Sequence, residues 1–423
     1  MKYIFLITSI ADIGGGQKYC SNKIKELERL GYDTNVISVN KGTVLLEALK
    51  DYEFNTIPEL RYPPRYYSIR KQNSLLNRME RLVGKIAEDT IIECTMSSLA
   101  EWGELLASKY RCKSVCMFLD EEFNVTKENV KFFAFKLNRH ELLGTSTKSV
   151  PLLFKGYMEI EESEEYSFKA WCSNAVEDVP YDLHELKMGI GNKTIGFFGR
   201  LSKGYIKNSL ADSLHFVSLH PEVFFNIIFI GGAENSFIIN DLKDMCSALD
   251  NVNVVFTGFL NPVPMKLLKY LDVCIATAGC ANVSMNEGVP TICVNTLSGK
   301  AVGILGYTVD RNEVDVRYAE SKEYSIPDLL DEILFKDFCK QNEPINVFER
   351  LDINSVMADE VESQFKKINK TKKKEYYDIS GIKLSGFKEH FSKIIVSLFG
   401  VKLLDYIILE LWQKRRQRSP KNK

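Results

Sequence analysis

Apolar residues along this chain come in short blocks that alternate with helix-spaced segments, and that rhythm carries the first information about its fold. Residues 3–10 form an apolar run, too short for a helix, which stops at the cluster Gly14, Gly15 and Gly16. Residues 17–30 then place Ile24, Leu27 and Leu30 at helical spacing, and Gly31 stands where a helix C-terminus favours a left-handed residue. Residues 33–39 return to a strand-like run. Strand, helix and strand in that order predict a right-handed βαβ unit and a parallel sheet. Further strands are predicted at 90–94, 114–118 and 169–172, with a helix near 99–109, giving one doubly wound domain over residues 1–180.

Residues 180–192 are polar and carry Pro, Gly and charge, which reads as a linker. A second α/β pattern follows. A strand at 194–199 ends in Gly199, a helix covers 208–219, and a strand at 224–230 ends at Gly231-Gly232. Strands at 253–256, 273–276 and 291–294 complete a second domain, 193–365. The fold class is therefore α/β with two Rossmann-like doubly wound domains. Ligand chemistry is expected beyond the carboxyl ends of the strands, in the cleft between the halves.

Residues 366–423 change character. The stretch 366–374 is lysine-rich, 391–412 is apolar apart from Lys393, Lys402, Asp405 and Glu410, and the last ten residues hold six cations and no acid. Two readings stay open for this helical, basic tail. It packs on the first domain, or its segment 391–423 lies peripherally in the headgroups of an anionic membrane beside Trp412.

Composition narrows the functional classes. A chain of 423 residues suggests two to three domains, and 45% hydrophobic with 26% charged residues is a globular profile. With 55 basic and 56 acidic side chains the net charge is -1, so no global field favours nucleic acid. The ten cysteines form no CxxC pair, and the expectation is reduced thiols in a cytoplasmic protein with neither a zinc site nor a disulfide framework. The N-terminal run reads as a buried strand rather than a signal segment, and no window reaches the ~18 consecutive apolar residues of a membrane span.

Two glycine-rich turns carry candidate chemistry. Gly14, Gly15, Gly16 and Gln17 lie between strand and helix, where free N–H groups and the helix dipole favour an anion. Tyr19 occupies the third glycine position of a dinucleotide fingerprint and Asn40 replaces its acid, which disfavours NAD. A tight turn without a ligand is the alternative there. The segment Gly199-Arg200-Leu201-Ser202-Lys203-Gly204 places two cations just past a strand end. Arginine offers phosphate a bidentate fork and lysine a compact charge, as a leaving diphosphate requires. Lys207 competes on the same turn, and a solvated pair of cations is the alternative.

The order of these motifs resembles family-four glycosyltransferases of the GT-B class. The matching segments are Gly14-Gly15-Gly16-Gln17, Ser173-Asn174-Ala175-Val176-Glu177, Phe198-Gly199-Arg200-Leu201 through Lys203-Gly204, Val255-Phe256-Thr257-Gly258-Phe259, Tyr270-Leu271-Asp272-Val273 and Glu287-Gly288-Val289-Pro290-Thr291. They recur over about residues 1–310. The resemblance implies a nucleoside-diphosphate sugar as co-substrate, retention of configuration, no cofactor and no obligatory metal. It also implies Arg200 and Lys203 as catalytic cations, with donor contacts from Gly199, Arg200, Lys203, Gly232, Gly279, Asn282, Ser284 and Glu287. A glycan or lipid-linked acceptor would meet Gly14 to Gln17 and Asp120, in cell-surface polysaccharide synthesis at the inner face of the cytoplasmic membrane. Asp120 is the candidate base because a carboxylate in a partly desolvated cleft can take a hydroxyl proton, and an acidic turn facing water is the alternative.

The departures are specific. The family's paired glutamates fall on Ile275 and Val283, and the loop between strand and helix reads Thr277-Ala278-Gly279-Cys280-Ala281-Asn282-Val283-Ser284. The acceptor-side histidine has no counterpart near Asp120. A sugar-nucleotide epimerase of the same architecture and a non-catalytic nucleotide-sugar or glycan-binding protein are the rival readings.

Overall fold

The computed structural model describes every residue except 12, 120–123, 171, 173–174, 186–188, 190, 234–235, 297, 311–321, 346–352, 373 and 409–423. It divides into two compact units, one made of Met1–Trp171 with Ile353–Lys423, the other of Cys172–Asp352.

The first unit opens with β1 (Lys2–Ser9), α1 (Gly15–Arg29), β2 (Asp33–Asn40), α2 (Ile69–Val83), β3 (Ile91–Cys94) and α3 (Ser97–Tyr110). It continues through β4 (Lys113–Phe118), α4 (Val130–Asn138), β5 (Leu142–Gly144) and α5 (Ser149–Leu153). Its five strands pair in parallel in the order β2-β1-β3-β4-β5. The sequence direction reverses between β1 and β3, so the crevice of this sheet opens past the ends of those two strands. α1 closes as its glycine requires. Gly31 has φ 80°, its N–H donates to Glu28 O, and Tyr32 N–H donates to Leu27 O.

The second unit contains β6 (Val176–Glu177), β7 (Lys193–Phe198), α6 (Gly204–Ser218), β8 (Phe225–Ile230), α7 (Ser236–Cys246) and β9 (Val252–Phe256). It goes on through β10 (Val263–Pro264), α8 (Met265–Lys269), β11 (Val273–Ala276), α9 (Ala278–Asn286), β12 (Thr291–Val294), β13 (Ala301–Ile304), α10 (Ile326–Leu334) and α11 (Phe338–Gln341). The six-stranded sheet runs β13-β12-β11-β7-β8-β9, parallel except for the edge strand β13. Its centre is apolar on both faces, since β8 is buried at every position and Ile195, Phe197 and Ile275 lie within the core.

The chain then returns to the first unit as α12 (Ile353–Ile368), α13 (Gly386–Phe399) and a further helical stretch at 401–408. α12 is held on α1 by a buried polar network. The Lys23 ammonium, fully buried, lies 2.6 Å from Glu93 Oε2 and donates to Tyr19 Oη at 3.0 Å and to Gln364 Oε1 at 2.5 Å. Tyr3 Oη donates to the same Glu93 oxygen at 2.5 Å. α13 buries Ile395 and Val396 in the core of the first unit, beside Val401 and Leu404 of the next stretch.

Two expectations change. Lys169, Ala170 and Cys172 belong to no strand; β5 supplies the fifth strand instead, from an apolar stretch of only three residues. The second domain was expected to reach residue 365, but α12 packs on the first unit because Gln364 completes the shell of the buried Lys23. The tail packs likewise as far as Leu404.

Candidate active site

Sheet order places the candidate site in the second unit. β7, β8 and β9 run one way from the centre and β11, β12 and β13 the other, so the order reverses between β7 and β11. Phe198 pairs with Ala276 and also with Ile230. The next residues along each strand, Gly199, Thr277 and Gly231, therefore leave the sheet side by side at its carboxyl edge.

The backbone there is packed too closely for side chains. A Cβ on Gly231 would stand 2.1 Å from Gly199 O, and one on Gly199 would stand 2.7 Å from Tyr205 Oη. Their φ values of 142° and 150° also suit glycine alone. Gly199 N–H donates to Ile230 O and Leu201 N–H to Gly232 O, both at 3.0 Å, which fixes the start of the turn that carries Arg200. A Cβ on Gly232 would meet the Phe259 ring. The glycines shape the turn that carries Arg200 and Lys203.

Arg200 is half-buried on this turn and has no acidic partner among the described residues. Lys203 is the N-cap residue of α6, its N–H donating to Arg200 O at 3.2 Å, so cation and helix N-terminus share one place. The competing Lys207 is engaged elsewhere, 2.6 Å from Asp241 on α7. Tyr205 was not anticipated from sequence. Its buried hydroxyl lies against Gly199, and burial raises its pKa far above the ordinary phenol value, with the neighbouring thiols of Cys280 and Cys274 adding to the effect and Arg200 opposing it. The phenol is a neutral hydrogen-bonding group at this edge.

α9 starts beside that turn. Its N-cap Thr277 is extended, and Ala278 takes φ 48°, a left-handed conformation that a non-glycine residue adopts at a cost. Thr277 Oγ1 is buried with no hydrogen-bond partner among the described residues, as is Thr296 Oγ1 beyond the carboxyl end of β12. A buried hydroxyl without a partner costs about 1–3 kcal/mol. Gly279 has open space where a Cβ would stand. This end of α9 can therefore offer hydroxyl and backbone donors to an anion.

The remaining donor candidates run away from that end. Asn282 is half-buried one turn along α9. Ser284 is fully buried and donates to Cys274 Sγ at 3.1 Å, inside the core. Glu287 is the C-cap residue of this nine-residue helix, about 13 Å along its axis from the start. Serine spacing on a short apolar helix does not reveal which face it occupies, and α9 turns Ser284 towards β11.

In the first unit, Gly14 is the N-cap of α1, Gly15 and Gly16 form its first turn, and Gly16 has open space where a Cβ would stand. Gln17 Nε2 donates to Ser9 O at 2.9 Å, so its amide closes the turn after β1. Asp120, Ser173, Asn174 and Trp412 lie outside the described residues.

No protein-family model and no curated protein sequence matches the chain. Solved structures do match over nearly its whole length. A glycosyltransferase from Rickettsia africae ESF-5 superposes with a TM-score of 0.58 at 14% identity, covering 87% of this chain and 99% of its own. The fold is GT-B. The apo structure of OtsA gives 0.50 at 13% identity over 88% of this chain and 99% of its own, and TarM 0.50 at 10% over 93% and 98%. At these identities the likeness is one of GT-B architecture.

Proposed function

We propose that this GT-B chain is a glycosyltransferase that moves a sugar from a nucleoside-diphosphate sugar to a glycan or lipid-linked acceptor. The observation that carries the reading is Arg200 and the Lys203 N-cap at the carboxyl end of β7, beside the α9 N-terminus on β11. Negative charge grows on the departing diphosphate during transfer. Arg200, Lys203 and two helix N-termini are positioned to oppose that charge, with the hydroxyls of Thr277 and Tyr205 as hydrogen-bonding groups. The Rickettsia structure is itself named a glycosyltransferase, which supports the class of reaction. Retention of configuration, a hexosyl donor, a role in cell-surface polysaccharide synthesis and independence of a metal are proposed on the family resemblance. Asp120 is proposed as the acceptor-side base on its own chemistry, since the family's histidine is absent there and a carboxylate in a partly desolvated cleft can take a hydroxyl proton.

The test is release of nucleoside diphosphate from a panel of sugar nucleotides, with and without acceptor lipid. Arg200→Ala is expected to lower kcat/KM about 10²-fold, with Lys207→Ala close to the parent chain. Equal turnover by Arg200→Ala would place the diphosphate elsewhere. Isomerised sugar nucleotide without diphosphate release would make the chain an epimerase, and ligand binding without turnover a binding protein.

A further inference from the structure

α13 has two faces with opposite properties. One buries Ile395 and Val396 in the first unit. The other carries Phe387, Phe391, Ile394 and Leu398, which are 84%, 47%, 55% and 70% exposed. Their spacings of four, three and four residues set them on one stripe of the helix, and the Phe387 and Phe391 rings stack with centroids 6.2 Å apart. Phe399, Tyr406 and Ile408 are exposed as well.

The charges on the same helices are sorted. Glu389 accepts from Arg65 at 3.0 Å and from Ser385 N–H at 2.6 Å, and Asp405 lies 2.9 Å from Arg61 and accepts from Tyr62 Oη at 2.7 Å. Glu389 and Asp405 are the acids of residues 386–408, and both are spent on arginines of the first unit. Lys388, His390 and Lys402 are exposed and Lys393 is half-exposed. The helix touches the segment leading into α2, Ser397 Oγ donating to Tyr66 O at 3.1 Å, and exposed Ile69, Arg70 and Lys71 follow in sequence, Lys71 lying 3.5 Å from Glu59. The outward surface is thus aromatic, aliphatic and basic, with its acids turned inward.

We infer that the outer face of α13 and residues 401–408 docks the first unit on an anionic lipid bilayer, the aromatic stripe entering the headgroup region and the cations meeting lipid phosphates. Apolar area drives insertion, while each cation near an anionic surface adds about 1 kcal/mol, a factor of about five in partitioning. The charge sorting complements the continuous negative surface of an anionic leaflet. The inference stands apart from the donor site: a chain that fails to bind vesicles can still turn over a sugar nucleotide.

The experiment is vesicle flotation of the full chain on phosphatidylcholine vesicles with and without 30% phosphatidylglycerol, at low and high salt, with the probe composition in that case set at about a third anionic lipid. Binding is expected to need the anionic lipid and to weaken with salt. The triple variant Phe387→Ser, Phe391→Ser, Leu398→Ser removes exposed side chains and is expected to keep its melting temperature while losing tenfold or more of its partitioning. Phe237→Ser, an exposed aromatic on α7, serves as the control and is expected to float like the parent. Flotation of the triple variant equal to the parent would overturn the inference, as would a parent chain that ignores anionic vesicles. Concentration-dependent self-association that depends on the stripe, without flotation, would assign the surface to a second copy instead and overturn it too.

Discussion

The residues that determine the candidate site are glycines as much as cations. Gly231 packs its Cα against Gly199 O so closely that a methyl group has nowhere to go, and its φ of 142° adds strain to any replacement. Gly231→Ala is therefore expected to cost about 3 kcal/mol or more, measured by chemical denaturation. Gly16 is the opposite case. Nothing lies within 4 Å of its Cβ position, and alanine is the better residue in a helix, so Gly16→Ala is expected to leave stability unchanged or raise it by about 0.5–1 kcal/mol. Loss of turnover in that variant would report on a ligand at the turn rather than on folding. The turn bearing Arg200 was legible in the sequence because an apolar strand, a glycine and two cations lie within a few residues. Tyr205, Thr277 and Thr296 were not, since their importance comes from which strands are neighbours and from hydroxyls left without partners.

Elements were legible where an apolar run was long and bounded. β11 and β12 coincide with the runs that announce them, whereas β5 is three residues beside the charged Glu141, and Lys169, Ala170 and Cys172 belong to no strand. The return of α12 and α13 was beyond reach, because its anchors pair residues over 300 positions apart. Those anchors are testable. Burial pushes the Lys23 ammonium pKa down while Glu93 pulls it up. Lys23→Met leaves a buried carboxylate without its partner and is expected to cost about 3–5 kcal/mol, read from the urea midpoint. At α13, Arg65 bridges Glu101 and Glu389. Burial raises the Glu101 pKa from 4.5 to about 7 despite the opposing pull of Arg65. Between those values the folded state holds a proton that the unfolded state has lost, so stability falls as pH rises through that window. Thermal melts from pH 4.5 to 7.5 are expected to show this decline, and Glu101→Gln to flatten it.

At the scale of the molecule, the second unit is an insertion into the first. Residues 172–352 bring their own cores, centred on Phe197, Phe229 and Ile275 on one side of the sheet and Ile228 and Cys274 on the other. They are expected to fold when expressed alone, with a cooperative melt by circular dichroism. Residues 1–171 lack α12 and α13 and expose the apolar surface those helices cover, so that fragment is expected to aggregate. A cooperative melt of the fragment 1–171 would contradict this. The same connectivity sets an order of events on the ribosome. The sheet that is synthesised first is completed by the helices synthesised last, and 237 residues separate Trp171 from the end of the described tail at 408. At 5–20 residues per second the nascent first unit waits roughly 10 to 50 s with its flank uncovered, while the later-born second unit is already closed. The first unit is thus expected to depend on chaperones during synthesis more than the second.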